Sequence, residues 1–341
     1  MATIKEIAKE CNVSVATVSN ILNHKPGASE ETRKRVMDKV KERNYMPNTV
    51  AQNLKKRNTR SIGVIVEDMT IFSIPNIVDG ITEHCEEKQY QILLSNLRLF
   101  QKYHDKYYHK EYYYEFVRRQ VQELMAKQVE GIIYVAAHER TMKGLLEELP
   151  IPAVMAYGCT LNAAIPSVVV DDESGAYELV SMLIGSGHQK IGVVTGKIDS
   201  FHTQERLRGY QRALYDAGIM FHPELICIGD WERSSGYRYA DQLMEHGGTA
   251  IFCMNDLMAG GVYDRMTELQ KTVGRDIALV GYDGRELAEY YKPRLTTMEL
   301  PLHDVGYMAS RLMFQLLEKE TIQEIDGVCR VKCRIRLRES I

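Results

Sequence analysis

Between Ser14 and Asn23 the chain carries a row of short side chains, Val15, Ala16, Thr17, Ser19 and Asn20, that offer methyls, hydroxyls and one amide. Helical spacing puts Val18, Ile21 and Leu22 on the opposite, apolar face, so this row looks outward. Small donors and methyls of this kind suit a nucleic-acid groove, where they reach base edges without bulk. No comparable set points to catalysis. Gly185-Ser186-Gly187-His188 closes a helix instead of opening one, no phosphate-loop spacing ending in Gly-Lys-Ser/Thr occurs, and no hydrolase elbow is found. Cys329 and Cys333 share one face of an expected strand, yet two thiols without nearby His or further Cys make a poor metal site. The sequence therefore assigns no metal, no cofactor and no enzymatic activity.

Three short helices are needed to hold the outward row. Thr3-Ile4-Lys5-Glu6 has the form of a capping box, with a hydroxyl at the helix start and a carboxylate that reaches back to it. Ile4, Ile7, Ala8 and Cys11 then recur at i, i+3, i+4 and i+7 and bury one side. Asn12 tolerates the left-handed turn that ends this helix, and Ser14 caps a second running to about Asn23. Ser29 caps a third, which carries Val36 and Val40 inward and stops at Asn44 ahead of Pro47. Two helices joined by a tight turn make a helix-turn-helix. Charge agrees, because residues 1–60 hold 13 Lys and Arg against 6 Asp and Glu, whereas the rest of the chain holds 30 against 40. A basic head on an acidic body favours a polyanion partner, since cations that neutralise phosphates release condensed counterions.

Thr3-Ile4-Lys5-Glu6-Ile7-Ala8, the run Val13 to Asn23, Ser29-Glu30-Glu31-Thr32-Arg33 and the run Asn44 to Leu54 together resemble the signature of the lactose-repressor (LacI/GalR) family of bacterial transcription regulators. The resemblance implies a helix-turn-helix domain over 1–46, a hinge helix and linker over 47–60 that opens at Pro47-Asn48, and an effector-binding and dimerisation body over 61–341. It implies contacts to double-stranded operator DNA from Thr3, Ser14, Val15, Ala16, Thr17, Ser19, Asn20, Asn23, His24, Ser29, Thr32, Arg33, Leu54 and Lys55. Leu54 would wedge into the minor groove, where an apolar side chain unstacks a base step and kinks the duplex; a buried dimer contact is its other reading. Asn12 and Asn44 replace the family's usual Gly, and Asn enters the left-handed region at modest cost. Asn20 stands where the family commonly has Arg against a guanine. Its amide matches adenine better, so an operator altered at that base pair is expected.

From Arg60 onward short apolar runs alternate with helix-length spacers: Ile62 to Val66, Gln91 to Leu94, Gly131 to Val135, Ala153 to Met155, Val168 to Val170, Ile191 to Val194, Ile226 to Ile228, Ala250 to Cys253 and Ile277 to Val280. Nine such strands argue for doubly wound parallel sheets and are too many for one, so two α/β lobes with a ligand cleft at the carboxyl ends of the strands are expected. The resemblance implies a periplasmic-binding-protein-like body with chain crossings near 160, 290 and 325, giving lobe one about 61–160 and 291–325 and lobe two about 161–290 and 326–341. It places effector contacts at Arg206, Asn255 and Asp283, whose guanidinium, amide and carboxylate suit paired sugar hydroxyls. Trp231, the only tryptophan, would lie against the ligand ring or else pack at the surface, and Ser73 belongs to a stretch, Thr70 to Pro75, that departs from the family's Asn-Pro-Phe-Phe. Asp256 is expected to cap the following helix. The segment Leu97 to Gln120 is longer than the family's connection and holds Tyr103, Tyr107, Tyr108, Tyr112, Tyr113 and Tyr114. Phe100, Tyr103, Tyr107 and Tyr114 fall near one helical face, so an extended helix is expected, serving as a partner or dimer surface or packing on its own lobe.

With 45% hydrophobic and 26% charged residues, the 341-residue chain has the composition of a soluble globular protein. No apolar run approaches the roughly 18 residues of a membrane helix, Met1 to Glu10 lacks an apolar signal core, and seven scattered cysteines form no disulfide framework. A cytoplasmic location with no membrane partner is expected. The strand pattern Val331 to Leu337 is followed by no heptad tail, so a homodimer and not a tetramer is expected. These readings meet in a dimeric repressor of carbohydrate-use genes that binds a near-palindromic operator and is released by a sugar in the cleft. A corepressor such as a purine or sugar phosphate would keep the fold and reverse the sign. A solute-binding protein or an enzyme on the same lobes is opposed by the missing signal core and the basic head.

Overall fold

The computed structural model describes residues 3–23, 25–45, 59–104, 113–319 and 327–341, and the chain divides into two units, Met1–Thr59 and Arg60–Ile341. In the first unit α1 (Ile4–Glu10), α2 (Val15–Leu22) and α3 (Glu30–Glu42) each start where the sequence supplies a hydroxyl. The Glu6 amide donates to Thr3 Oγ1 at 3.3 Å while the Thr3 amide donates to the Glu6 carboxylate at 2.7 Å. Ser14 and Ser29 accept from the amides of Thr17 and Thr32 in the same way. Asn12 and Asn44 adopt φ of 49° and 50°, the left-handed turns that end α1 and α3. Ile7, Ala8, Cys11, Val18, Ile21 and Val36 form the core, with Leu22 and Val40 only half-buried at its rim. Arg43, just past α3, clasps Glu10 of α1 through hydrogen bonds of 3.1 and 2.5 Å. His24 and residues 46–58 lie outside the described residues, and with them Leu54, Lys55 and most of the expected hinge segment.

The second unit runs β1 (Ser61–Val66), α4 (Ser73–Glu87), β2 (Gln91–Asn96), α5 (Leu99–Tyr103), α6 (Tyr114–Ala126), β3 (Gly131–Val135), β4 (Ala153–Ala156) and β5 (Ser167–Asp171). It continues with α7 (Asp172–Gly185), β6 (Ile191–Thr195), α8 (Phe201–Asp216), β7 (Ile226–Ile228), α9 (Arg233–Glu245), β8 (Ala250–Cys253), α10 (Asp256–Glu268) and β9 (Ala278–Asp283). α11 (Leu287–Tyr290), β10 (Thr296–Glu299), α12 (Leu302–Leu317), β11 (Val328–Lys332) and β12 (Arg334–Arg336) complete it. One sheet has the order β11-β5-β4-β3-β1-β2 and is parallel throughout; the other has the order β12-β10-β9-β8-β6-β7, with only β12 antiparallel. β1, β3, β4, β6 and β8 are buried along their whole length, as strands covered by helices on both faces must be.

The chain passes between lobes at Asp171–Asp172, between β10 and α12, and at Cys333, each time later than 160, 290 and 325. β5 and β11 therefore belong to lobe one and β10 to lobe two, the reverse of the expected division. The reason is local: β5 runs into α7 without a loop, with Asp171 as the cap, so no turn signal marks the crossing. Cys329 and Cys333 do not share a strand face, because β11 ends at Lys332 and Cys333 is buried at the crossing beside Tyr282. Nor does a single helix span 97–120. α5 stops at Tyr103, His104 takes φ 49°, and Tyr107, Tyr108 and Tyr112 lie outside the described residues. Tyr113 and Tyr114 are buried in lobe one with ring centroids 5.0 Å apart, which favours packing on the segment's own lobe.

α4 and α12 cross at backbone contact. A Cβ on Gly80 would stand 2.0 Å from the His303 carbonyl oxygen, and one on Gly306 would stand 1.9 Å from that of Ile77. Neither obstacle is a side chain that could swing away. Gly80→Ala and Gly306→Ala should each destabilise the second unit by about 1–3 kcal/mol, the usual range for overpacking, read from the midpoint of urea unfolding; wild-type midpoints would show that the helices separate freely.

Candidate functional site

On α2 of the first unit Val15, Ala16 and Asn20 are exposed and Thr17 and Ser19 half-buried, while Val18 and Ile21 face the core. The side chains differ in how free they are. Ser14 and Thr17 spend their hydroxyls on each other at 2.8 Å, and Asn23 turns its amide to the Ser19 carbonyl at 2.7 Å. Arg33 donates to the carbonyls of Ile21 and Lys25 at 3.5 and 3.0 Å, fixing the end of α2. Among the described residues Asn20 is the polar member of the row whose side-chain amide has no hydrogen bond within the chain, so donor and acceptor both face outward.

In the second unit the strand-end residues gather around one guanidinium. Arg206, on α8, is 2% exposed. It donates from Nε to Asp172 Oδ1 at 2.8 Å and from Nη1 to the Met254 carbonyl at 2.5 Å, with Nη1 3.6 Å from Asp283 Oδ1. Its plane lies 3.7 Å from the Tyr282 ring centre and 5.8 Å from that of Trp231. Trp231 has φ 75° and sets its indole against Gly196, where any Cβ would fall 2.0 Å from the ring. Asn255, not Asp256, caps α10: its Oδ1 accepts from the Met258 amide at 2.8 Å, and its Nδ2 donates to the Trp231 carbonyl at 2.9 Å. Asp256 is the first helical residue and accepts instead from Thr297 Oγ1 and the Arg285 amide. Arg206, Trp231, Asn255 and Asp283 thus come together. Ser73 belongs to lobe one and directs its hydroxyl to the Ala137 carbonyl at 3.5 Å.

Ala137 opens the stretch through which lobe one meets this cluster. Glu67 anchors it, accepting from the Ala137 amide, Tyr134 and Arg140, and Arg140 also donates to Tyr113 at 2.7 Å. The Glu139 amide donates to His202 Nε2 of lobe two at 3.2 Å, which leaves the His202 proton on Nδ1, where it is donated to Asp172 Oδ2 at 2.6 Å. Arg285 of lobe two lies 4.9 Å over the Phe72 ring of lobe one. Sequence reading singled out neither Glu139, Asp172 nor His202. The one local signal is that His202 and Arg206 are four apart on α8 and so share a face.

Burial dominates the electrostatics here. It alone would raise Asp172, but Arg206 and His202 hold it down at about 2. Burial raises Glu139 to about 8, with Asp172 adding to the shift, and takes Asp283 to about 7 against the pull of Arg206. Asp256 is pushed to about 8 by burial and by Asp283. Burial, with His202 nearby, lowers His138 to about 3.

A helix-turn-helix unit in one chain with a two-lobed α/β body that gathers polar groups at the lobe contact defines a ligand-responsive DNA-binding regulator. The family model described as bacterial regulatory proteins, lacI family, matches residues 3–48, and that for a periplasmic binding protein-like domain matches residues 180–341. The HTH-type transcriptional repressor PurR of Vibrio vulnificus (strain CMCP6) is 32% identical over 322 residues, 93% of this chain and 92% of that protein. Catabolite control protein A of Priestia megaterium is 32% identical over 344 residues, 99% and 98% of the two chains. Among solved structures, the Lac repressor dimer bound to operator and the anti-inducer ONPF superposes with a TM-score of 0.78 at 26% identity, covering 99% of this chain and 98% of that one. The complex of the transcriptional regulator CelR with cellobiose gives 0.64 at 25% identity and covers both chains fully. The chain belongs to the lacI family of bacterial transcription regulators.

Two outcomes follow from the buried groups. Asp172→Asn removes the nearer of the two carboxylates beside the buried Arg206 guanidinium, leaving Asp283 at 3.6 Å, and breaking a buried pair costs about 3–5 kcal/mol; denaturant unfolding of the full chain should show that loss, and a change below about 1 kcal/mol would show that the pair is not the anchor. Asp283, Asp256 and Glu139 ionise near pH 4 in the unfolded chain but hold protons to about 7 and 8 when folded. The folded state then binds more protons, so stability falls as pH rises through that range. The neutral His138 does not oppose this, because it affects stability only below about pH 6.5. The melting temperature should drop from pH 6.5 to 9, and Glu139→Gln should flatten the slope.

Proposed function

We propose that this chain is a cytoplasmic, homodimeric repressor of carbohydrate-use genes that binds a near-palindromic operator and is released by a sugar held between its lobes. The observation that carries the operator half of this reading is the outward face of α2, with its one uncommitted amide at Asn20. A dimer presents two such faces, and two-fold symmetry then asks for two related half-sites. Thr3, Ser14, Thr17, Ser19, Asn23, Ser29, Thr32 and Arg33 fit supporting roles, since several already order the backbone that a phosphate contact would use. No helix among the described residues is long and apolar enough to cross a membrane.

For the effector we assign Arg206, Trp231, Asn255, Asp283 and Ser73 to the binding wall. Asp283 and the guanidinium beside it would be the groups that meet hydroxyls directly. Asn255 acts by fixing Trp231, whose indole offers an apolar face to a sugar ring. The cellobiose bound by CelR supports a sugar. The likeness to PurR supports the second reading, a corepressor that tightens operator binding. A ligand of either sign works only through its differential affinity for the two lobe arrangements.

Selection of sites from random duplex DNA at fixed salt tests the reading. A palindrome neighbouring carbohydrate genes supports it, and no enrichment with or without added sugars and purines overturns it. Within the selected site, adenine should dominate at the position under Asn20. Asn20→Ala should cost about 1–3 kcal/mol there and flatten that preference, measured by competition against single-base variants; an invariant guanine, indifferent to the substitution, would contradict the assignment.

A further inference from the structure

One buried network reaches the lobe contact from a part of lobe one that neither the operator reading nor the effector reading uses. Glu67, fully buried just past β1, accepts from Tyr134 and from the Ala137 amide, each at 2.8 Å. Arg140 donates to both oxygens of the same carboxylate and, from Nη1, to the His138 carbonyl at 3.3 Å. The stretch 137–140 is thus closed on itself, held through Glu67 at one end and by a guanidinium that bends back over it from the other. Between the two ends stands Glu139, whose amide donates to His202 of lobe two at 3.2 Å. One more partner comes from elsewhere. Arg140 Nη2 donates to the Tyr113 hydroxyl at 2.7 Å, and Tyr113, 3% exposed, ends the tyrosine-rich segment just before α6. Its ring packs edge-on against Tyr114, so the hydroxyl is an acceptor at a set position.

We propose that Tyr113 is a positioning residue for the lobe contact: by accepting from Arg140 it fixes the stretch 137–140 in the form that presents the Glu139 amide to His202. The tyrosine-rich segment then biases the balance between lobe arrangements without touching a ligand. A contact made only when the lobes touch favours that arrangement by the free energy it holds, and a stretch already ordered makes it without a further ordering cost. Removing the acceptor leaves a largely buried guanidinium short of a partner, which loosens the stretch it closes. The inference rests on the reading that lobe arrangement carries the effector's signal, but its test needs neither effector nor operator, so either can fail without the other.

Amide hydrogen exchange of the full chain, read residue by residue by mass spectrometry, provides the test, because the Glu139 amide exchanges when its bond to His202 opens. Tyr113→Phe keeps the ring and removes one oxygen. It should speed exchange at Glu139 about tenfold while β3, Gly131–Val135, keeps its wild-type rates. His202→Ala should also speed Glu139, and once that contact is gone Tyr113→Phe should add less than about twofold, since residues acting through one interaction are not additive. Where His202→Ala does not fold, His202→Gln takes its place in the cycle. Wild-type exchange at Glu139 in Tyr113→Phe, an equal acceleration throughout β3, or full additivity of the two substitutions would each overturn the proposal.

Discussion

The second unit is organised around one ion pair, Arg206 with Asp172. A guanidinium 2% exposed cannot be left without a counter-charge, so the carboxylate that meets it must be fixed wherever the fold puts it. The fold puts it at the first residue of α7, directly after the chain leaves lobe one. The pair thereby ties three things to one point: the packing of α7 on α8, the lobe crossing, and the wall at the ends of β8 and β9 that Arg206 touches through Met254 and Asp283. The second oxygen of Asp172 adds a fourth, because it sets the tautomer of His202 and so determines that Nε2 accepts from lobe one.

Around this pair most groups expected to greet a ligand are occupied with the protein's own backbone. Asn255 spends both ends of its amide on Met258 and Trp231. Trp231 holds a left-handed φ that a tryptophan rarely adopts, and it is kept there by that bond and by the Gly196 surface beneath the indole. The consequence is a wall ordered before any ligand arrives. Binding then does not have to pay again for ordering those side chains, which is how preorganised sites gain affinity.

What could be read from the sequence was what is determined locally. Thr3, Ser14 and Ser29 cap helices through amides three residues away, and Asn12 and Asn44 make their turns from their own φ preference. Strands buried on both faces announce themselves as continuous apolar runs, so β1, β3, β4, β6 and β8 were legible. β10 was not, because Thr296-Thr297-Met298-Glu299 is too polar to register as such a run. The lobe crossings were hidden for a related reason: β5 enters α7 without a turn, and β11 and β12 read as one strand although Cys333 separates them. Glu139 was invisible because it reaches His202 only through contact between lobes, and Asp172 and His202 because they meet only when α7 packs on α8. Separations of 33 and 30 residues carry no periodic signal.

Switching by lobe movement sets a quantitative demand on this arrangement. Two of the contacts that join the lobes are the Glu139 amide on His202 and Arg285 over Phe72. A neutral hydrogen bond contributes about 1 kcal/mol net and a cation–π contact at a partly open site about 0.5–1 kcal/mol. Turning a two-state equilibrium from 1:99 to 99:1 takes about 5.5 kcal/mol of differential binding, more than these two contacts hold together. A ligand that merely broke or preserved them would shift the lobes only partway. Full switching requires a ligand that itself touches both lobes, so that its own contacts differ between the two arrangements; in the binding wall proposed above, Ser73 on one side with Asp283 and Trp231 on the other would supply that difference.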